Sequence, residues 1–324
     1  MEKNLCNNLK ITFIVVSYNE AKYINEAINS ILNLNINYDY EIIIGDDGSD
    51  DGSIDIIKDW KNKYPNIIKY FVMDREKGLS AKDVIGAIRC SNVIKKVLEV
   101  ASGEFFLMLS ADDYYINNSF INEDIDFMDK NKEFVALIHD GYNLNKNIQQ
   151  EYFDYPKSLF WSREYLHISN FFIRNDKNLK NNLLTYFCDD TGMCYSILKT
   201  SKVKYKNNKI FEYRKNDTGI TLSSDENELM LMEIMLYQDI INNKEKLRFA
   251  NISRFNRTLR TLYFHKKEIS SEKYKKYIDH LKNNKNDIYT KYINSSTVYR
   301  FFYFIKAYII IVYFYIWRKV WRIL

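Results

Sequence analysis

One stretch constrains the fold more than any other: Glu104-Phe105-Phe106-Leu107-Met108-Leu109-Ser110-Ala111-Asp112-Asp113-Tyr114-Tyr115. Its apolar run is too short for an independent helix and stops abruptly at two adjacent carboxylates. That is the pattern of a strand buried on both faces, delivering acids to the C-terminal edge of a parallel sheet. Open α/β sheets bind their ligands at that edge. Neighbouring aspartates repel one another and are stabilised by a hard divalent cation shared with phosphate oxygens, which makes Asp112 and Asp113 metal-site candidates. The competing reading is an acidic surface turn, a setting in which Asp is common.

The chain before this stretch repeats the same grammar. Ile11 to Val16 is β-branched and aromatic, the composition of a buried strand, and it stops at Ser17-Tyr18-Asn19-Glu20. Ile24, Ala27, Ile28, Ile31 and Leu32 then recur at helical spacing. Tyr40 to Ile44 reads as the next strand and ends in Gly45-Asp46-Asp47-Gly48-Ser49, followed by a helix through Ile54, Ile57 and Trp60 and a third strand from Ile67 to Met73. Strand, turn and helix in alternation imply a parallel sheet with helices on both faces. Asp46 and Asp47 fall where a base or ribose would meet the strand ends, although an acidic glycine turn explains the same residues.

A helix with apolar positions from Val84 to Leu98 leads into the central strand, and a polar helical segment, Asn118 to Lys130, leads to a strand from Phe134 to Ile138. His139 ends that strand, a place where a histidine is more often a structural hydrogen-bonder than a substrate contact. Tyr142 to Lys180 is aromatic and polar with no usable periodicity.

Composition narrows the class. Hydrophobic residues are 46% and charged residues 27% of 324, which excludes wholesale disorder and a polytopic membrane protein. The net charge of +5 is concentrated in the C-terminal third, suited to an acidic or phosphate-bearing partner. Cys6, Cys90, Cys188 and Cys194 lack zinc-type spacing and are expected as reduced thiols. The polar stretch Met1 to Lys10 has no apolar core, so a cytoplasmic location without a secretory signal is expected.

Three separated stretches together resemble the family 2 glycosyltransferases, inverting nucleotide-sugar enzymes of the GT-A fold. They are Val15 to Glu20, Glu41 to Ser49, and Leu109 to Asp113, the last resembling an Asp-x-Asp metal motif. The resemblance covers about residues 10 to 225 and departs at Ser110, which stands where many members have the first acid. It implies a GT-A catalytic domain over residues 1–225, a Rossmann-like nucleotide-sugar-binding sheet with helices on both faces. Nucleotide-sugar contacts would come from Ser17, Asn19, Glu20, Asp46, Asp47 and Asp112. The divalent cation, Mn²⁺ or Mg²⁺, would sit on Asp112 and Asp113, and uridine is the implied base. Cys188-Asp189-Asp190-Thr191-Gly192-Met193 resembles the acceptor-side acidic motif, with Asp190 as the base and Asp189 as its alternative. An N-cap with an acidic first helical turn fits those residues nearly as well. Tyr213-Arg214-Lys215 resembles a segment whose cation, Arg214 or Lys215, approaches the diphosphate. A solvated basic turn is the alternative.

Beyond residue 225 a helical appendage is expected over 226–297, then a C-terminal amphipathic helix over 298–324. The uncharged core of the latter, Ala307 to Trp317, is eleven residues, short of the roughly twenty that cross a bilayer. Flanking Tyr, Trp, Arg and Lys suit an anionic membrane surface, and burial against another subunit of a homo-oligomer is the alternative. The function expected is sugar transfer to a glycan or polyprenyl-linked acceptor at the inner face of the plasma membrane. Two competitors stand beside it. A sugar-phosphate nucleotidyltransferase would carry a Gly-rich basic loop that Ser17 to Glu20 lacks. A catalytically silent module of the same fold is the other. No motif points to nucleic acid.

Overall fold

The structure is a computed structural model. It describes residues 9–74, 84–140, 167–185 and 202–214, with single positions between 192 and 296. The chain divides into two compact units: Met1–Ala81 with Gly86–Asn216, and Lys82–Ile85 with Asp217–Leu324. In the second unit the described positions Met230, Leu231, Ile234, Thr258 and Lys267 are helical. The boundary expected at residue 225, Lys215, and the C-terminal helix over 298–324 fall outside the described residues.

The first unit is built on β1 (Ile11–Ser17), α1 (Ile24–Leu32), β2 (Tyr40–Asp46), α2 (Ser53–Lys63), β3 (Ile68–Val72), α3 (Val84–Val100), β4 (Phe105–Ser110), β5 (Tyr114–Tyr115), α4 (Phe120–Lys130) and β6 (Phe134–Asp140). A 3₁₀ turn (Ile168–Asn170), β7 (Phe171–Arg174), α5 (Lys177–Thr185), β8 (Lys202–Lys209) and β9 (Phe211–Glu212) follow. Seven strands form one sheet in the order β3-β2-β1-β4-β7-β6-β8, and β5 pairs with β9 in a two-stranded ladder. β3, β2, β1 and β4 run parallel, whereas β7 runs antiparallel to both β4 and β6.

Strand residues alternate between two cores, as the pleat requires. Phe13, Val15, Ile42, Ile44, Phe105, Leu107 and Leu109 pack with Ile24, Ile28 and Ile31 of α1 and Phe120, Ile121 and Ile125 of α4. Ile14, Ile43, Phe106 and Met108 pack on the opposite side with Val93 and Val97 of α3 and Leu179 and Leu183 of α5. Burial on both faces explains why these strands read as continuous apolar runs. Each fully buried Phe or Ile contributes about 1.5–3 kcal/mol.

The N-terminal edge of the sheet is closed by one carboxylate. Glu41 accepts from Thr12 Oγ1 (2.8 Å), Lys69 Nζ (2.7 Å), Ser102 Oγ (2.8 Å) and Ser102 N–H (3.1 Å). Burial pushes its pKa up, but these hydrogen bonds outweigh burial and hold it below the usual glutamate range. Gly103 N–H donates to Thr12 Oγ1 at 2.9 Å, and a Cβ at Gly103 would lie 2.5 Å from the Thr12 backbone nitrogen.

His139 is a structural residue. Its ring is fully buried, Nε2 lies 2.7 Å from Asp124 Oδ2, and Nδ1 lies 2.7 Å from Asn208 Oδ1. Lys206 Nζ completes the cluster on the other Asp124 oxygen, joining α4, β6 and β8.

Candidate active site

Three strands end level at the opposite edge. Register pairs Ser17 with Asp46 and Val16 with Ser110, and the ladders run on through Asp47 N–H to Ser17 O and Ala111 N–H to Val16 O, both 2.9 Å. Ser17, Asp46, Asp47, Asp112 and Asp113 are thereby brought together. Each follows from an apolar run that ends at a polar residue.

The β2–α2 loop is folded by its own acids. Asp46, fully buried, accepts from Ser49 N–H (2.8 Å) and Ser49 Oγ (2.7 Å). Gly48 and Gly52 supply the left-handed turns at φ 75° and 99° that other residues resist. The β1–α1 loop is latched onto it: Asn19 N–H donates to Ser49 Oγ (2.8 Å), Glu20 N–H to Ser53 Oγ (2.8 Å) and Ala21 N–H to Asp51 Oδ2 (2.9 Å). Asn19, itself at φ 56°, donates from its side-chain Nδ2 to Asp50 Oδ1 and accepts on Oδ1 from the Asp50 backbone N–H. Asn19 and Asp46 therefore spend their polar atoms on holding the loops.

Asp47 meets a cation that the sequence reading missed. Arg89, on α3, brings Nε to 2.8 Å from Asp47 Oδ1 and donates from Nη2 to the Asp74 carbonyl at 2.8 Å. Both side chains are largely buried, so this ion pair is little screened by solvent. α3 also carries Ser91, Asn92, Lys95, Lys96 and Glu99, so nothing in the local sequence singles Arg89 out.

Asp112 and Asp113 part company. Asp113 is buried; its Oδ1 accepts the Arg214 backbone N–H at 2.9 Å, and Oδ2 lies 3.9 Å from His167 Nδ1. Asp112 stays partly exposed, and its carbonyl accepts from Arg214 Nε at 2.9 Å. His167 was also missed, since it sits in the segment without periodicity. Its ring stacks on Phe211 at 5.4 Å, and its Nδ1 accepts from Ser169 N–H. The only local signal was His-x-x-Asn ahead of Phe-Phe-Ile, which the structure uses as a cap on the 3₁₀ turn.

Electrostatics mark Glu20. Partial burial, then the charges of Asp112 and Asp51, push its carboxyl up to about 8, against the pull of Arg214. Its Oε2 and the Ser17 Oγ are buried with no hydrogen-bond partner among the described residues. Asp51 moves the other way: burial raises it, but bonds from Ser53 and the Ala21 N–H hold it below the usual range. Tyr115, beside Asp113, keeps its phenol protonated through burial and that neighbouring charge.

Among the described residues no three His, Cys, Asp or Glu side chains are grouped to hold a metal. The donor set nonetheless fits a hard divalent ion of the kind held by one or two carboxylates plus phosphate oxygens and water. Asp112 offers the accessible carboxylate, and a cation there would offset the mutual repulsion of Asp112, Glu20 and Asp51. Asp189 and Asp190 lie outside the described residues. Gly192, Met193, Ser196 and Ile197 just after them are helical, with Met193 and Ile197 in the core.

A mixed sheet carrying acids on the ends of its parallel strands defines the class, and comparison with known proteins agrees. Residues 12–200 match the profile of Glycosyl transferase family 2, and the chain belongs to that family. Among solved structures it resembles Staphylococcus aureus TarS residues 1–349 in complex with UDP-GlcNAc, with TM-score 0.55 and 18% identity over 86% of this chain and 82% of that one. It also resembles the mannosyltransferase PcManGT of Pyrobaculum calidifontis in complex with GDP-Man and Mn²⁺, with TM-score 0.52 and 13% identity over 93% of this chain and 86% of that one. The fold is GT-A. In sequence, the chain is 34% identical over 107 residues to the poly(ribitol-phosphate) beta-glucosyltransferase of Bacillus spizizenii, covering 33% of this chain and 15% of that protein. It is 30% identical over 131 residues to S. aureus TarS, a poly(ribitol-phosphate) beta-N-acetylglucosaminyltransferase, covering 40% of this chain and 21% of that protein. The chain spans a third or less of the length of these two relatives.

Proposed function

We propose that this chain is an inverting glycosyltransferase that moves a sugar from a nucleoside-diphosphate donor, a uridine one, to a hydroxyl of a surface-glycan acceptor. The carrying observation is the acidic group Glu20, Asp51 and Asp112 fixed on the ends of parallel strands, with buried polar atoms of Ser17 and Glu20 unmet by described protein partners. Family membership and the nucleotide-sugar complexes of similar folds support it.

In this mechanism Asp47, with Arg89 against it, faces the nucleoside, and Asp112 faces the diphosphate. A divalent cation, when bound, neutralises diphosphate charge so that the nucleotide can leave. Asp112 would hold it, while Asp113, already bonded to the Arg214 N–H, fixes the turn. A carboxylate must remove the acceptor proton from the face opposite the departing nucleotide. Asp190 takes that role by resemblance, with Asp189 as its alternative. The loop latch from Asn19 to Ala21 keeps the donor side rigid, so that little ordering is left for the moment of binding.

Names of relatives that act on poly(ribitol-phosphate) support an anionic, phosphate-rich acceptor, and the basic C-terminal third suits one. Among the described residues no helix is long and apolar enough to cross a membrane. Residues 298–324, rich in Tyr, Trp, Arg and Lys, would hold the enzyme at an anionic membrane surface.

Thermal stabilisation by UDP, GDP, dTDP and CMP, each with and without Mn²⁺, tests the reading. One nucleotide should raise the melting temperature, and more so with Mn²⁺. No shift with any of them overturns it. Asp190→Asn should then abolish transfer while leaving UDP binding intact. Retained turnover would reject the assignment of the base.

A further inference from the structure

Arg214 is held at the acidic edge from several sides, a pattern that does not match a free phosphate-binding arm. The β5–β9 ladder pairs Tyr114 with Glu212 and Tyr115 with Phe211. Carried two residues further, the same antiparallel register sets Arg214 opposite Asp112. Arg214 N–H reaches Asp113 Oδ1 at 2.9 Å, Nε reaches the Asp112 carbonyl at 2.9 Å, and Nη2 pairs with Glu26 of α1. The guanidinium lies over the Tyr23 ring (4.7 Å) and the Tyr114 ring (5.0 Å), which keeps its plane oriented. Arg214 thus straps the turn bearing Asp112 to α1 on one side and β9 on the other.

We infer that Arg214 is a positioning residue, acting with Glu26 to hold the Asp112–Asp113 turn, in place of the diphosphate contact expected from the sequence. The inference rests on the glycosyltransferase reading. A strap of this kind works by restricting where the Asp112 carboxylate can go, as outer partners of metal ligands do. Lysine is a poor substitute, because a compact ammonium lacks the planar fork that serves the Asp112 carbonyl and Glu26 at once beside two rings.

The test compares full-length wild type, Arg214→Ala, Arg214→Lys, Glu26→Gln and the Arg214→Ala/Glu26→Gln double variant. UDP affinity is measured by calorimetry with Mn²⁺ and again with chelator, alongside melting temperature. Arg214→Ala should weaken Mn²⁺-supported UDP binding by about 10-fold to 100-fold. Its metal-free UDP affinity should stay within about twofold of wild type, and Arg214→Lys should resemble Arg214→Ala more than wild type. Glu26→Gln should cost about two- to fivefold on the same readout, as a partly exposed ion pair does. The double variant should be no worse than Arg214→Ala, because the partners act as one unit. Loss of metal-free UDP affinity in Arg214→Ala, with rescue by lysine and a silent Glu26→Gln, would assign Arg214 to the diphosphate and overturn the inference. Coupling seen in melting temperature but not in UDP binding also overturns it, leaving a strap that only stabilises. Wild type that binds no nucleotide brings down the functional reading and this inference with it, while the melting-temperature cycle still reports whether the strap exists.

Discussion

The two edges of the same sheet solve opposite problems. At the N-terminal edge Glu41 collects four hydrogen bonds from three segments, and Gly103 lets the β4 lead-in press against the β1 backbone. At the C-terminal edge carboxylates lie within one another's fields, Glu20 Oε2 and Ser17 Oγ lack described partners, and Asn19 holds a left-handed backbone. The N-terminal ends of these strands are tied by hydrogen bonds within the protein, whereas the C-terminal ends of β1, β2 and β4 gather like charges. Like charges crowded at one edge cost stability, the usual trade at functional sites.

The comparison breaks most visibly at Gly103. Gly103→Ala should destabilise by about 4 kcal/mol or more and fail to give soluble protein, because the obstruction is backbone and cannot yield as a side-chain tip does. Soluble expression with an unchanged melting temperature would remove the N-terminal edge from the argument. At the other edge, Asp112→Ala should cut transfer by about 100-fold or more, on the order of 3 kcal/mol of transition-state stabilisation, while moving the melting temperature by only about 2 °C. A large loss of stability would make Asp112 structural.

Smaller effects sharpen the contrast. Glu41→Ala should cost about 2–4 kcal/mol by stranding Thr12, Lys69 and Ser102 donors, with donor affinity unchanged in the protein that remains folded. Because the Glu41 pKa is lowered on folding, its contribution is present above the ordinary value of 4.5 and fades as pH falls below it. Glu20→Gln should do the reverse. The folded state keeps the Glu20 proton up to about 8 while the unfolded chain loses it near 4.5, so wild-type stability declines as pH rises between those values. The glutamine variant should gain melting temperature progressively across that window. The gain is about 1 kcal/mol once solvent screening of this half-buried group is allowed for. A gain independent of pH would show that the charge of Glu20 is not the cause.

Legibility in the sequence followed the same divide. Parallel strands buried on both faces announce themselves, so β1, β2, β4 and β6, and the helices that follow the first three, appear close to where the apolar runs place them. β8 escaped because Lys-Val-Lys-Tyr-Lys-Asn-Asn-Lys is an edge strand, where lysines discourage further pairing and the apolar signal is thin. β7 escaped because four residues offer no period. The acids were legible as a group, but their separate tasks were not. Nothing in Asp-Asp says that Asp113 turns inward to a backbone N–H while Asp112 stays accessible, or that Asp46 folds its own loop. Arg89 and His167 reach those acids from distant segments, and long-range contacts leave no local trace.

The reversed direction of β7 fixes where the chain comes back to the site. β6 finishes and β7 starts at the acidic edge, so Asp140 and His167 both lie there. His167, stacked on Phe211 and set beside Asp113, marks where the inherited frame resumes. Chain direction alone thus sets His167 beside Asp113, with no further element needed to carry it to the acids.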